Sequence, residues 1–435
     1  MTASINKGSA AALIPFGVFA VFYLGLSVLS GDFYRVPMTA AFLVASAFAF
    51  SMKPKELSEN INVFARGMGE TNIMIMCLIF ILAGAFAAVA KGMGAVSSTV
   101  AIAQHILPNS LLLPGMFVVA CFLSLAIGTS CGTIAALTPI ALSMTADMHT
   151  TPAVMVGAVI GGAMFGDNIS MISDTTIAAS RTMNISMKDK FFSNISFALP
   201  AAAAAFAVYL FIGSKLPEAA TVKPAVGITD IIRVTPYILI LVLAACGINV
   251  LVLLCGAGVA AAVIGISLKN FDLLGALDLL GKGCLGMAET LFVALLAGGL
   301  LAIVKHFGGV DFIMYKIEQC IKSKTGCELG TAFLVTAVNL FTANNTVAIV
   351  ITGPIAKELS ARYSCSPQRI ASILDASSCI IQGIIPYGAQ ILIATGIANA
   401  ANIRLSAVEI IATCHYQQLL LITMLVWIFC RRKNY

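Results

Sequence analysis

Apolar runs close to the ~20 residues that a helix needs to span a bilayer recur along the whole chain, separated by short polar stretches. They cover about 10–29, 36–52, 72–90, 152–180 and 192–213, then about 231–247, 249–268, 290–304, 367–400 and 408–430. Each reads as a crossing. Between the third and fourth run of each half lies a longer apolar stretch, 111–146 and 329–356. Their middles are polar: Gly128-Thr129-Ser130-Cys131-Gly132-Thr133 in one, Thr342-Ala343-Asn344-Asn345-Thr346 in the other. Such a stretch has room for two full crossings or for one hairpin that enters and turns back. The polar middles favour hairpins, because non-helical backbone at membrane depth survives only where it lines a cavity or is buried in protein. Two such tips entering from opposite faces would meet near the midplane.

The second half repeats the first in residues as well as in hydropathy. Gly67-Met68-Gly69-Glu70-Thr71 matches Gly286-Met287-Ala288-Glu289-Thr290, and Lys91, Gly94 and Val96 match Lys305, Gly308 and Val310. At an offset of 215, Pro139-Ile140-Ala141 matches Pro354-Ile355-Ala356, and Pro152 matches Pro367. Matches in the same order point to duplication. Lys53, Lys55 and Arg66 sit in one loop and Arg181, Lys188 and Lys190 in another, while the loops around His105 and His149 lack Lys and Arg. In the second half the pattern reverses. The counterparts of the bare loops carry Lys316, Lys322 and Lys324, then Lys357, Arg362 and Arg369, and the counterpart of the loop after Ser180 keeps Arg404.

Cytoplasmic loops collect Lys and Arg, so corresponding loops lie on opposite faces. The expected fold is therefore an all-α polytopic membrane protein built as an inverted-topology repeat, each half having five crossings, a re-entrant hairpin and a discontinuous helix. Residues 1–213 form one repeat, 214–233 a linker and 234–435 the other. Both termini come out cytoplasmic, in keeping with Arg431-Arg432-Lys433. Lys215, Lys223 and Arg233 put positive charge in a linker that the scheme places outside.

Composition narrows the class. With 60% hydrophobic and 10% charged residues, the chain is far from a soluble domain, in which about 25% would be charged. A net charge of +6 is modest and lies in short loops, which excludes nucleic acid as a partner. Twelve scattered cysteines without a C-x-x-C pair read as small buried hydrophobes. His105, His149, His306 and His415 are dispersed and form no metal site. The run after Lys7 lacks a small-x-small cleavage site and has an internal counterpart, so it reads as a crossing rather than a signal peptide.

The chemistry concentrates in Gly166-Asp167-Asn168-Ile169-Ser170-Met171-Ile172-Ser173-Asp174-Thr175-Thr176, deep in an apolar run. Ionisable groups at that depth are expensive and face a polar interior or an ion path. In one unbroken helix Asp167 and Asp174 would share a face ~10 Å apart, too far to ligate one ion together. Unwinding the helix frees carbonyls for a cation. Asp167, Asn168, Ser170, Ser173, Asp174 and Thr175 then offer the oxygen ligands that hard cations prefer, with Na+ placed at Asp167 and Asp174. A purely structural polar network is the alternative. At the offset of 215, Asp167 maps to Gln382 and Asp174 to Ala389, so the second half keeps the break without the acids.

The tips add Thr129, Ser130 and Thr133 on one side and Asn344, Asn345 and Thr346 on the other. The second broken segment adds Asp375, Gln382, Tyr387 and Gln390. Asp375 fits either a second coupling carboxylate or a partner of Arg369, and Glu70 and Glu289 read as helix N-terminal charge compensation.

The motif Gly166-Asp167-x-x-Ser170-x-x-Ser173-Asp174-Thr175-Thr176 resembles the signature of the NhaC-type Na+/H+ antiporter family, and the duplicated plan looks like the wider ion transporter superfamily. Asn168 stands where a Lys is common and Met171 where a Pro is common, which alters the charge beside Asp167. The resemblance implies a secondary transporter of the inner (plasma) membrane that exchanges Na+ for protons by alternating access, with no cofactor. Relatives also include sodium-coupled carriers of amino acids and small hydroxy acids, so a small organic solute is the alternative cargo. The expected partners are the lipid bilayer, Na+ and protons, with a homodimer as one admissible assembly. An enzyme is not expected: an intramembrane aspartyl protease needs acids on facing helices, and Met164 stands where its Gly-x-Gly-Asp pattern needs glycine.

Overall fold

In an apolar surrounding every backbone N–H and C=O must be satisfied within the protein, and helices do this locally. The computed structural model describes residues 7–30, 36–106, 108–147, 150–170, 173–216, 226–246 and 248–430. Among these residues the chain consists of helices and their connections, with no strand. His149, Met171, Ile172, residues 217–225 of the linker and Arg431-Arg432-Lys433 lie outside the described residues.

Four described stretches are long and apolar enough to cross a membrane: Ile73–Gly92, Pro152–Met183, Met187–Ser214 and Leu273–His306. The bent pair Ala407–Thr413 and His415–Cys430, at 50°, makes a fifth. Other expected crossings are shorter helices, among them Met38–Ser51 and Leu251–Ser267, because hydropathy does not register where the backbone leaves the helix. The expected crossings also left out two helices, the amphipathic Leu57–Met68 and Leu273–Gly286, which opens the apolar stretch Leu273–His306. These exchange partners between the halves. Leu57–Met68 packs on Ala288–His306, and Leu273–Gly286 packs on Thr71–Gly92. Glycines bring the backbones together: a Cβ at Gly67 would lie 2.6 Å from the Gly298 oxygen, and one at Gly84 would lie 2.4 Å from the Gly283 oxygen. Small residues are what permit such crossings where lipid removes any hydrophobic drive.

Helix ends in the two halves recur at one spacing. Asn109–Ile127 and Lys324–Thr342 begin and end 215 residues apart, and so do Ser130–Asp147 and Asn345–Arg362. Pro152–Ile169 and Pro367–Gln382 begin at that spacing, as do Asp174–Met183 and Ala389–Ala400. Each long apolar stretch is thus two helices with a joint. The joints, Gly128 at φ 75° and Ala343 at φ 46°, are both left-handed. Glycine accepts this freely, whereas an alanine there costs ~1–2 kcal/mol, so the surroundings must hold Ala343 in place. Equivalent side chains tie each pair to the next helix: Ser124 Oγ donates to the Ala163 carbonyl at 2.6 Å, and Asn339 Nδ2 donates to the Ser378 carbonyl at 3.0 Å.

Pro152–Ile169 is clamped against Asn109–Ile127. A Cβ on Gly166 would lie 2.2 Å from the Ser124 Cβ, and one on Gly162 would lie 2.5 Å from the Phe117 oxygen. Around this interior the outward side chains include Phe122, Phe211, Phe292 and Phe333, an apolar exterior suited to lipid. Gly166→Ala is expected to lower stability by ~1–3 kcal/mol through overpacking, read as a lower unfolding midpoint of the purified protein. Gly256→Ala, with open space around it, is expected to leave that midpoint unchanged.

Candidate functional site

The helix Pro152–Ile169 ends at Ser170, whose backbone is extended, and a new helix, Asp174–Met183, starts after Ser173. The break is stitched internally. Ser173 Oγ accepts the Thr176 N–H at 3.3 Å as an N-cap and donates to the Asp167 carbonyl at 2.7 Å. Thr175 Oγ1 reaches the same carbonyl at 3.4 Å. A hydroxyl at the N-cap satisfies one donor of the new helix, and the freed Asp167 carbonyl of the old helix is satisfied by the Ser173 and Thr175 hydroxyls.

Asp167 meets the first tip. Its carboxylate accepts from the Ser130 N–H at 3.1 Å and from Ser130 Oγ at 2.5 Å. Ser130 opens the helix Ser130–Asp147, so the acid sits at the positive end of a helix dipole. Ser130 Oγ in turn accepts from Gln390 Nε2 at 3.0 Å, and Gln390 Oε1 accepts from Gln382 Nε2 at 2.9 Å. Gln382 Nε2 also donates to the carbonyl of Ala343 at the second tip, at 3.0 Å. A chain of hydrogen bonds therefore runs from one tip to the other. These groups border a cavity of about 170 Å³, lined by Thr129, Ser130, Cys131, Asp167, Asp174 and Thr175 and by Asn344, Asn345, Thr346, Gln382 and Gln390, with Ile75, Met76 and Ile79 on a further side. An adjoining cavity of about 270 Å³ shares Met76, Ala343 and Asn344 and reaches Glu70, Lys305 and Tyr387.

Not every expected residue faces this space. Asn168 is buried, and its side-chain oxygen accepts from Asn194. Ser170 Oγ donates to the Leu125 carbonyl at 3.2 Å, and Ser173 is spent on the break. Thr133 donates to the Thr129 carbonyl at 3.1 Å. Tyr387 donates to the Leu340 carbonyl, its ring edge-on to Phe16, Phe19 and Phe42. Asn344 does line the cavity, and it also caps its helix by accepting the Val347 N–H at 3.0 Å. Glu70 accepts the Ile73 N–H at 3.3 Å, as helix N-terminal compensation requires.

Two expectations are corrected behind the cavity. Lys190 is not a loop charge: its side chain is 1% exposed, and its ammonium lies 2.7 Å from Asp375 Oδ2, itself in a side chain that is 0% exposed. Asp375 is therefore the partner of Lys190 and not of Arg369, which binds Glu328 at 2.6 Å and lies over the Trp427 ring at 3.8 Å. Asn194 Nδ2 donates to the Asn168 carbonyl and to Asp375 Oδ2, each at 2.9 Å. Lys190 fell outside the crossing expected to begin at about 192, and without it the single amide Asn194 gave no sign of a partner. The Ser186-x-x-Asp189 pattern marks an earlier start: Ser186 Oγ accepts the Asp189 N–H at 3.0 Å and caps the helix Met187–Ser214. From that start, Lys190, Asn194, Phe197, Ala201 and Ala205 share one buried face.

An apolar helical bundle whose broken helices meet at a carboxylate-bearing cavity is the build of a secondary transporter. The chain belongs to the Na+/H+ antiporter family, whose profile matches it over residues 3–214 and again over 216–428. It is 24% identical to the Na(+)/H(+) antiporter NhaC of Bacillus subtilis over 385 residues, covering 81% of this chain and 83% of that one. It is 23% identical to the malate-2H(+)/Na(+)-lactate antiporter of the same organism over 425 residues, covering 90% and 89%. Among solved structures it resembles the Alcanivorax borkumensis YdaH transporter, with a TM-score of 0.41, 16% identity and 86% of each chain covered. The Neisseria gonorrhoeae efflux pump MtrF gives a TM-score of 0.39 and 12% identity, covering 86% of this chain and 83% of that one.

The cavity is testable by thiol chemistry. In a variant retaining only Cys131, which lines it, a small hydrophilic methanethiosulfonate is expected to label the protein. A variant retaining only the buried Cys379 is expected to stay unlabelled over the same time. Equal labelling of the two would contradict the described cavity.

Proposed function

We propose that this protein exchanges Na+ for protons by alternating access, with Asp167 as the carboxylate that holds either ion in turn. The observation that carries the reading is the Asp167 carboxylate at the cavity wall, bound by Ser130 and joined through Gln390 and Gln382 to the opposite tip. A carboxylate there neutralises a bare cation, and with the cation gone it is neutralised by a proton. The two occupancies exclude each other, and that exclusion is the coupling. Asp174 and Thr175, with the tip residues Thr129, Asn344, Asn345 and Thr346, complete an oxygen-rich lining. Residues 1–213 and 234–435 act as inverted repeats joined by the linker 214–233, with re-entrant tips and cytoplasmic termini. The constant spacing of helix ends supports this division, as does the exposed charge that remains at the facing helix ends, Arg181 and Lys188, once Lys190 is set aside.

A second reading, Na+-coupled movement of a small organic acid, is favoured by the uncharged second-half wall of Asn344, Asn345, Gln382 and Gln390 and by the name of the malate–lactate relative. In everted vesicles, addition of Na+ is expected to collapse a preset pH gradient, and Asp167→Asn to abolish the response. An unaltered response in that variant would overturn the role of Asp167. Radiolabelled hydroxy acids and amino acids in proteoliposomes separate the two readings, since Na+/H+ exchange alone gives no Na+-dependent uptake of any of them.

A further inference from the structure

The ammonium of Lys190 is held like an ion in a cage. Its three protons meet three oxygens from three elements: Asp375 Oδ2 at 2.7 Å, the Asn168 carbonyl at 2.7 Å and Thr176 Oγ1 at 2.6 Å. Asn194 caps two of the same oxygens. The Asn168 carbonyl belongs to the last turn of Pro152–Ile169, Thr176 to the first turn of Asp174–Met183, and Asp375 to the broken segment of the other half. A carboxylate, a freed carbonyl and a hydroxyl converging in a water-poor interior form the ligand set that hard cations take.

We propose that Lys190 is a tethered cation filling what would otherwise be a second site for a small monovalent cation, so that the protein carries its ion only at the tip cavity. The stem of Lys190 fixes the charge to Met187–Ser214, and the cage can neither exchange its ion nor release it. This assignment goes beyond the transport reading and does not depend on which solute moves. It makes Lys190 a positioning residue: it closes the back of the break whose front carries Asp167, and it ties the two halves by one ion pair. It also gives the buried Asp375 an occupation other than ion exchange.

Removing the lysine should vacate the cage for free ions. The test uses the full-length protein in detergent with Asp167→Asn as background, so that ions bound at the tip cavity do not contribute and failure of the transport reading leaves the result interpretable. Adding Lys190→Ala is expected to lower the unfolding midpoint in choline chloride. Sodium, potassium or ammonium chloride should then raise it by several degrees, saturably, as binding to the folded state requires. The background protein with Lys190 intact should show no such rise, and Lys190→Ala with Asp375→Asn should lose it. If Lys190→Ala is unfolded on extraction in choline, extraction in ammonium chloride is expected to yield a monodisperse folded peak. A variant that none of the three cations stabilises, or that answers to choline equally, overturns the tethered-cation assignment.

Discussion

When the backbone leaves its helix after Ile169, it exposes carbonyls and N–H groups to a surrounding with no water to bind them, and the rest of the site answers that constraint. The Asp167 carbonyl takes Ser173 and Thr175, and the Asn168 carbonyl takes Lys190 and Asn194. Only then is the Asp167 carboxylate free to point the other way, toward Ser130 and the cavity. Front and back of the break are thus different chemistries. One face carries the acids Asp167 and Asp174 and is open to a cavity, and the other is closed by a buried ion pair. A buried pair adds little to stability compared with a well-packed apolar core, but losing one partner is severe.

The duplicated plan explains why the same place in the second half looks so different. Gln382 stands where Asp167 stands in the first half, and each contacts the tip of its own half: Asp167 through Ser130, Gln382 through the Ala343 carbonyl. The geometry was kept twice and the charge once. An amide in place of the acid still bridges but cannot neutralise a cation, so the second half supplies orientation where the first supplies charge. The meeting of Gln390 with Ser130 joins the two roles in one network.

Much of this was legible in the residues. The glycine-bearing and asparagine-bearing middles of the two long apolar stretches marked the joints, the constant offset marked the matching helix ends, and two acids in an apolar run marked a stretch that borders a cavity. What was not legible came from three causes. Amphipathic helices such as Leu57–Met68 carry enough charge to read as loops. Asn168, Ser170 and Ser173 have side chains suited to a cation and to backbone stitching alike, and which of the two they serve depends on the direction of the break. Lys190 was misplaced because a lysine ahead of an apolar run is ordinarily a topology signal, and only the Ser186 cap, with Asn194 one turn further on, separates it from that class.

The pairing of Lys190 with Asp375 also bears on how the protein is made. Chains enter the membrane from the N-terminus as they are synthesised, at ~5–20 residues per second. The helix that carries Lys190 is therefore complete while Asp375 is still unmade, and the ammonium spends that interval without its carboxylate. Until then its partners are the first-half oxygens of Asn168 and Thr176. The pair can form only once the segment Pro367–Gln382 has been made.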